Sequence, residues 1–173
     1  MRIRAPLLLS VASALVSWPL LAAAEPRVAV FDFELIDTSL DGAMYGVRPD
    51  ETARLKKAGE QLRKALASSG RFEVADIGPV EAAAHAANLQ ACGGCDAALA
   101  QKAGASLAIT GTVQKVSNLI LNMNIYIRDA STKKLIAIRS ADFRGNTDES
   151  WSRAVDYLIR NYLLLPNFGE NSG

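Results

Sequence analysis

Cys92-Gly93-Gly94-Cys95 is the sharpest concentration of chemistry in the sequence, and Cys92 and Cys95 are its only cysteines. In an oxidising compartment an even pair closes as a disulfide, and two intervening glycines ease so tight a closure. A dithiol oxidoreductase would instead hold a thiolate at a helix N-terminus beside a strand. Here an Ala-rich, helix-like segment from Val80 to Gln90 precedes the pair. Asp96, directly after Cys95, also disfavours a neighbouring thiolate by like charge. The expected state is therefore a static Cys92–Cys95 disulfide. Asp96 stands where a C-x-x-C-H motif has histidine, so covalent haem attachment is not expected.

His85 is the only histidine. With Cys92 and Cys95 it offers three zinc ligands, but a structural site wants four and exported thiols tend to oxidise. Its expected place is a helix surface, and no metal site is predicted. A single histidine excludes H-E-x-x-H, and G-x-S-x-G, the P-loop and G-x-G-x-x-G are absent. Asp37-Thr38-Ser39-Leu40-Asp41-Gly42 opens like a calcium loop, with oxygen side chains at positions one, three and five and glycine at six. Arg48 occupies the twelfth position, where that loop needs a bidentate carboxylate. The expectation is a solvated turn-rich loop inside a connection, Glu34 to Asp50, long enough to be functional. Asp148 and Glu149 are expected to complement a helix dipole rather than to do acid–base work. No catalytic residue and no cofactor emerge.

The elements that must position these residues follow from periodicity. Arg27 to Leu35 is rich in β-branched and aromatic residues and apolar on both faces as far as Phe33, which suits a buried strand. Leu55, Ala58, Leu62 and Leu66 recur at helical spacing, in a helix from Glu51 to Ser69 with Asp50 as N-cap and Gly70 as its stop. Arg71 to Asp76 is a second strand. An Ala-rich helix from Val80 to Gln90 and a short one from Asp96 to Lys102 follow, the latter with Asp96 as its N-cap. Ser106–Val116, Leu119–Asp129 and Leu135–Arg144 then read as an antiparallel meander. A last helix starts near Asn146-Thr147-Asp148-Glu149, carries Trp151, Val155, Leu158, Tyr162 and Leu165 as its apolar stripe, and stops at Pro166. The order is β-α-β-α-α-β-β-β-α. The predicted fold class is α/β (α+β), a single mixed sheet with helices packed mainly on one face.

In the middle meander strand Leu119, Leu121, Met123, Ile125 and Ile127 alternate with a largely polar row. A period of two sends one row to the core and directs Asn122, Asn124, Tyr126 and Arg128 to the opposite face. Those four are the candidate binding face, since tyrosine and arginine are enriched at binding hot spots.

The N-terminus fixes the compartment. Arg2 and Arg4 precede an apolar run to Leu21, then Ala22-Ala23-Ala24 before Glu25, the plan of a cleavable secretory signal. Residues 1–24 are the expected signal peptide and 25–173 a single domain. Without its first 24 residues the 173-residue chain has 149, a common size for one domain. No cysteine follows the cleavage site, so a lipid anchor is not expected, and Pro19 with the small-residue end of the run argues against a retained membrane anchor. Losing Arg2 and Arg4 leaves 17 basic against 18 acidic residues, which gives no electrostatic case for nucleic acid or an anionic membrane. The expected location is the periplasm.

V-A-V-F-D-F, R-F-E-V-A-D and the stretch from Cys92 to Val116 together resemble the α/β domains at the N-terminus of TolB and in CsgG-like envelope proteins. K-V-S-N-L-I-L-N-M-N-I-Y-I-R-D and R-G-N-T-D-E-S-W resemble an uncharacterised proteobacterial family of exported domains, whose members often lie near quinoprotein alcohol dehydrogenase genes. The resemblance implies an envelope context and carries no catalytic residue. Two functions stay open. One is a non-enzymatic periplasmic module with a protein partner, supporting an envelope complex or an exported oxidoreductase. The other is a small-ligand, metal or thiol-redox accessory protein, resting on the cysteine pair and the acidic loop.

Overall fold

The computed structural model describes residues 25–165, so the expected signal segment and Pro166 lie outside the described residues. The elements run β1 (Arg27–Asp37), α1 (Leu40–Tyr45), α2 (Pro49–Ser68), β2 (Glu73–Val74), α3 (Gly78–His85), α4 (Cys95–Lys102), β3 (Leu107–Lys115), β4 (Ile120–Asp129), β5 (Leu135–Arg144) and α5 (Asp148–Leu158). A π-helical turn, Ile159–Leu163, continues α5. The strands form one mixed sheet in the order β2-β1-β3-β4-β5. β1 runs parallel to β2 and β3, and β3, β4 and β5 form the antiparallel meander. The fold class and element order agree with the sequence reading. α1 is added, inside the connection expected to be a loop.

Side-chain alternation builds two layers on this sheet. Val28, Val30 and Phe33 of β1, Ile109 and Val113 of β3 and Leu121, Met123, Ile125 and Ile127 of β4 meet Leu62 and Leu66 of α2 and Trp151, Val155 and Leu158 of α5. On the opposite face Ala29, Phe31 and Ala108 meet Val80 and Ala84 of α3 and Leu99 and Ala100 of α4. The long helices thus share one face. The short ones lie over β1 and β3 on the other, where Asn122, Asn124, Tyr126 and Arg128 of β4 stay half-buried.

Two helix starts and one helix end differ from expectation. Arg48 is the N-cap of α2, because Pro49 is pre-set for the first helical position; Asp50 sits in the first turn and pairs with Arg48 and Arg54. Gly94, at φ 102°, precedes α4, a left-handed conformation that glycine adopts without strain. Cys95 therefore opens a helix, and the Ala-rich helix before the pair ends early, at His85. Asp96 is not a cap but a buried first-turn residue facing Arg128.

Candidate functional site

The acidic loop does not lie in solvent. Asp37 ends β1 opposite Lys115, the last residue of β3, and the Lys115 side chain has 0 % exposure. Its Nζ donates to Glu51 Oε1 at 2.7 Å, Asp37 Oδ2 at 3.1 Å and Asp41 Oδ2 at 3.4 Å. The ammonium of Lys115 occupies the place a bound cation would take in a calcium loop. Asp37 Oδ1 accepts from Ser39 N and Oγ, and Ser39 Oγ accepts from Gly42 N to cap α1. A Cβ on Gly42 would lie 2.3 Å from Asp37 Oδ2, so a glycine here lets α1 fold onto the carboxylate. Asn146 Nδ2 donates to Glu51 Oε1, while Asn146 Oδ1 accepts from Trp151 Nε1. The cluster thereby locks α1, α2 and the start of α5 to the sheet.

Burial opposes charge on Asp37, yet hydrogen bonds from Ser39 and Lys115 prevail and hold its carboxyl below the usual range. Burial also opposes charge on Lys115, but Glu51 and Asp37 outweigh it and raise the ammonium above its ordinary value. Both groups are thus ionised across the neutral range, which a buried ion needs if it is to hold its partners.

Above this cluster the sheet ends in exposed apolar side chains. α1 presents Leu40, Met44 and Tyr45, and Val47 follows it, each between 61 and 76 % exposed. The β3–β4 turn adds Val116 and Leu119 and the start of β4 adds Ile120, while Ile36 near the end of β1 is also exposed. Thr38 N donates to Lys115 O, and Asn118 Nδ2 reaches Asp41 Oδ2, so α1 and the turn are tied together. Large apolar side chains gathered in this way mark an interaction site more often than they occur by chance.

Asn122, Asn124, Tyr126 and Arg128 do share the face opposite the main core, on the same side as Ile120. They are not all free. Asn124 Nδ2 donates to Asn122 Oδ1, Asn122 Nδ2 to Asp142 Oδ1 and Ser140 Oγ to Asn124 Oδ1. Arg128 Nε donates to buried Asp96 Oδ2 at 2.8 Å, and its Nη1 to Lys133 O. Cys92 and Cys95 are joined as a disulfide with Cα atoms 5.6 Å apart. Lys115 and Glu51 escaped the sequence reading, although Lys115 falls on the core-facing parity of Leu107, Ile109 and Val113. A lysine at that parity was the available signal.

Residues 26–163 match the model of a family described as a protein of unknown function (DUF2380). The chain belongs to this family, DUF3280. That agrees with the expected membership of an uncharacterised family. Among solved structures the chain is similar to the LpoB C-terminal domain from Salmonella enterica, at 15 % identity and a TM-score of 0.50 over 71 % of this chain and 85 % of that one. It is also similar to lipoprotein GNA1162 from Neisseria meningitidis, at 15 % identity and 0.49 over 79 % and 94 %. TolB from Acinetobacter baumannii gives 15 % identity and 0.42 over 80 % and 28 %, too low to establish the expected TolB-like fold. No curated protein sequence matches the chain. Identity this low places the fold beside the LpoB domain and transfers no role. Among the described residues no helix is long and apolar enough to cross a membrane.

Proposed function

We propose that the chain is a non-enzymatic accessory module of the periplasm, which binds a protein of an envelope complex or of an exported oxidoreductase. The observation that supports this reading is the apolar end of the sheet, Leu40, Met44, Tyr45, Leu119 and Ile120, displayed on a buried ionic cluster rather than on a mobile loop. Rigid presentation lowers the ordering cost of association. A near-neutral mature chain does not favour an anionic membrane as the occupant. The polar row of β4 continues from Ile120 along the same face. Asn122, Asn124 and Tyr126 supply its polar rim, while Arg128 fixes α4 behind it.

Photo-activatable cross-linkers placed at Tyr45, Leu119 and Tyr126 in the periplasm test this. One envelope protein should be captured from these positions, and none from exposed Lys64 on α2. Leu40→Asp with Leu119→Asp should weaken binding of the purified partner at least tenfold with melting unchanged. Equal capture from Lys64, or recovery of the protein with sedimented vesicles instead, sinks the reading.

A further inference from the structure

We propose that Asp32, Glu81 and His85 form a binding site for a divalent transition-metal ion, zinc in the first instance. The site is distinct from the apolar end and does not depend on it. His85 Nε2 lies 3.8 Å from Asp32 Oδ2 and 3.7 Å from Glu81 Oε1, and the three donor atoms all lie within 4.8 Å of one another. Those separations exceed hydrogen-bond length. A tetrahedral zinc bound at 2.0–2.1 Å sets its ligands roughly 3.3–3.4 Å apart, so the imidazole stands near the distance an intervening ion requires. The edge between the carboxylates is closed by Glu81, a half-exposed side chain free to move.

The surroundings are those of a built site. Glu81 and His85 are four residues apart on α3 and share one of its faces. Asp32 comes from β1 where the register with β3 shifts between Val30 and Phe33, the kind of irregularity that re-aims a strand side chain. Its other oxygen, Oδ1, accepts from Arg63 Nη2 at 2.8 Å, as an outer partner that orients a metal-binding carboxylate does. A Cβ on Gly59 would lie 2.6 Å from that same oxygen, so a glycine in α2 is what admits the carboxylate. A cavity of about 80 Å³, lined among others by Phe31, Asp32, Glu34, Glu81, His85 and Leu89, opens beside the three donors. It has room for an ion and a water as fourth ligand. Two carboxylates outweigh the single charge of Arg63, and His85 in the last turn of α3 adds the favourable end of a helix dipole for a cation. Cys92 and Cys95, joined to each other, take no part.

The test uses the mature protein purified without a histidine tag and stripped with a chelator. Calorimetric titration with Zn²⁺ should show one site, and the ring resonances of His85, the only histidine, should shift with the same stoichiometry. His85→Ala and Glu81→Gln, both at exposed positions, should each weaken Zn²⁺ at least tenfold while the metal-free variants melt with the wild type. Zinc binding that is absent in the wild type, survives in His85→Ala, or leaves the His85 resonances unmoved overturns the proposal.

Discussion

The two faces of the sheet are made from different side chains. Against α2 and α5 the core holds Leu62, Leu66, Met123, Ile125, Ile127, Trp151 and Leu158; against α3 and α4 it is largely alanine, with Ala29, Ala75, Ala84, Ala100, Ala105 and Ala108. Complete burial of a leucine, isoleucine or methionine contributes about 1.5–3 kcal/mol, whereas each alanine adds only its single methyl. Stability is therefore concentrated on the thick face. The thin face keeps short helices close to β1 and β3, leaves β4 and β5 largely uncovered, and holds the paired cysteines and the carboxylate–histidine cluster.

The severest way to break this contrast is to disarm the charge that locks the thick face to the apolar end. Lys115→Met leaves Asp37, Asp41 and Glu51 facing one another around an apolar side chain, and loss of one partner of a buried ion cluster costs about 3–5 kcal/mol. Urea unfolding at neutral pH should show it. The pH dependence carries a sign. The folded Asp37 carboxyl lies below its ordinary 3.8, so its contribution is full above that value and fades as pH falls through the lower, folded one. Folded Lys115 lies above its ordinary 10.5, so its contribution is full below 10.5 and fades as pH rises through the higher one. In Lys115→Met the Asp37 carboxyl loses one of the partners that hold it low, so the variant should lose less stability than the wild type as pH falls below 3.8. A variant as stable as the parent at pH 7 would make the cluster incidental.

That lock is also where the sequence spoke least. Period-two and helical spacing made β1, α2, the meander and α5 legible, because each buries a regular apolar stripe. The polar row of β4 lies opposite the core for the same reason. The ionic cluster was not legible: Asp37, Glu51 and Lys115 are far apart in the chain, and only the β1–β3 pairing with the start of α2 unites them. Asp32 and His85 were likewise separated by more than fifty residues, and a bulged register rather than a pattern brought them together. The calcium-like spacing from Asp37 to Gly42 did report two carboxylates converging on a positive charge. The charge is a lysine from another strand.

A smaller blow falls on the thin face. Arg128 was expected on the open face as a contact residue, but its Nε is paired with Asp96, which is buried in the first turn of α4. Arg128→Ala strands that carboxylate, whose Oδ1 already has no hydrogen-bond partner. The expected cost is about 2–3 kcal/mol, under the value for a fully buried pair because the Arg128 side chain remains 22 % exposed. Tyr126→Ala should cost less and act on partner capture instead. If Arg128→Ala melts with the wild type, the residue returns to the binding face and α4 is held by alanine packing alone.

The smallest expected effect tests whether the disulfide serves the thin face or its chemistry. Cys92 and Cys95 enclose so short a loop that the chain-entropy relation assigns the bond only ~2 kcal/mol. Cys95 does begin α4, and a helix N-terminus is one ingredient of thiol reactivity. Asp96, paired with Arg128 and directly after Cys95, works the other way by opposing a thiolate. The double change Cys92→Ser with Cys95→Ser should therefore lower stability modestly. Amide exchange should quicken in α3 and α4 while α2 and α5 stay protected, because the bond constrains only the segment that leads from one short helix to the next. Partner cross-linking from Leu119 should be unchanged. Disulfide reductase or oxidase turnover by the wild type, abolished in the double variant, would reverse the assignment and make the alanine-packed side a redox surface.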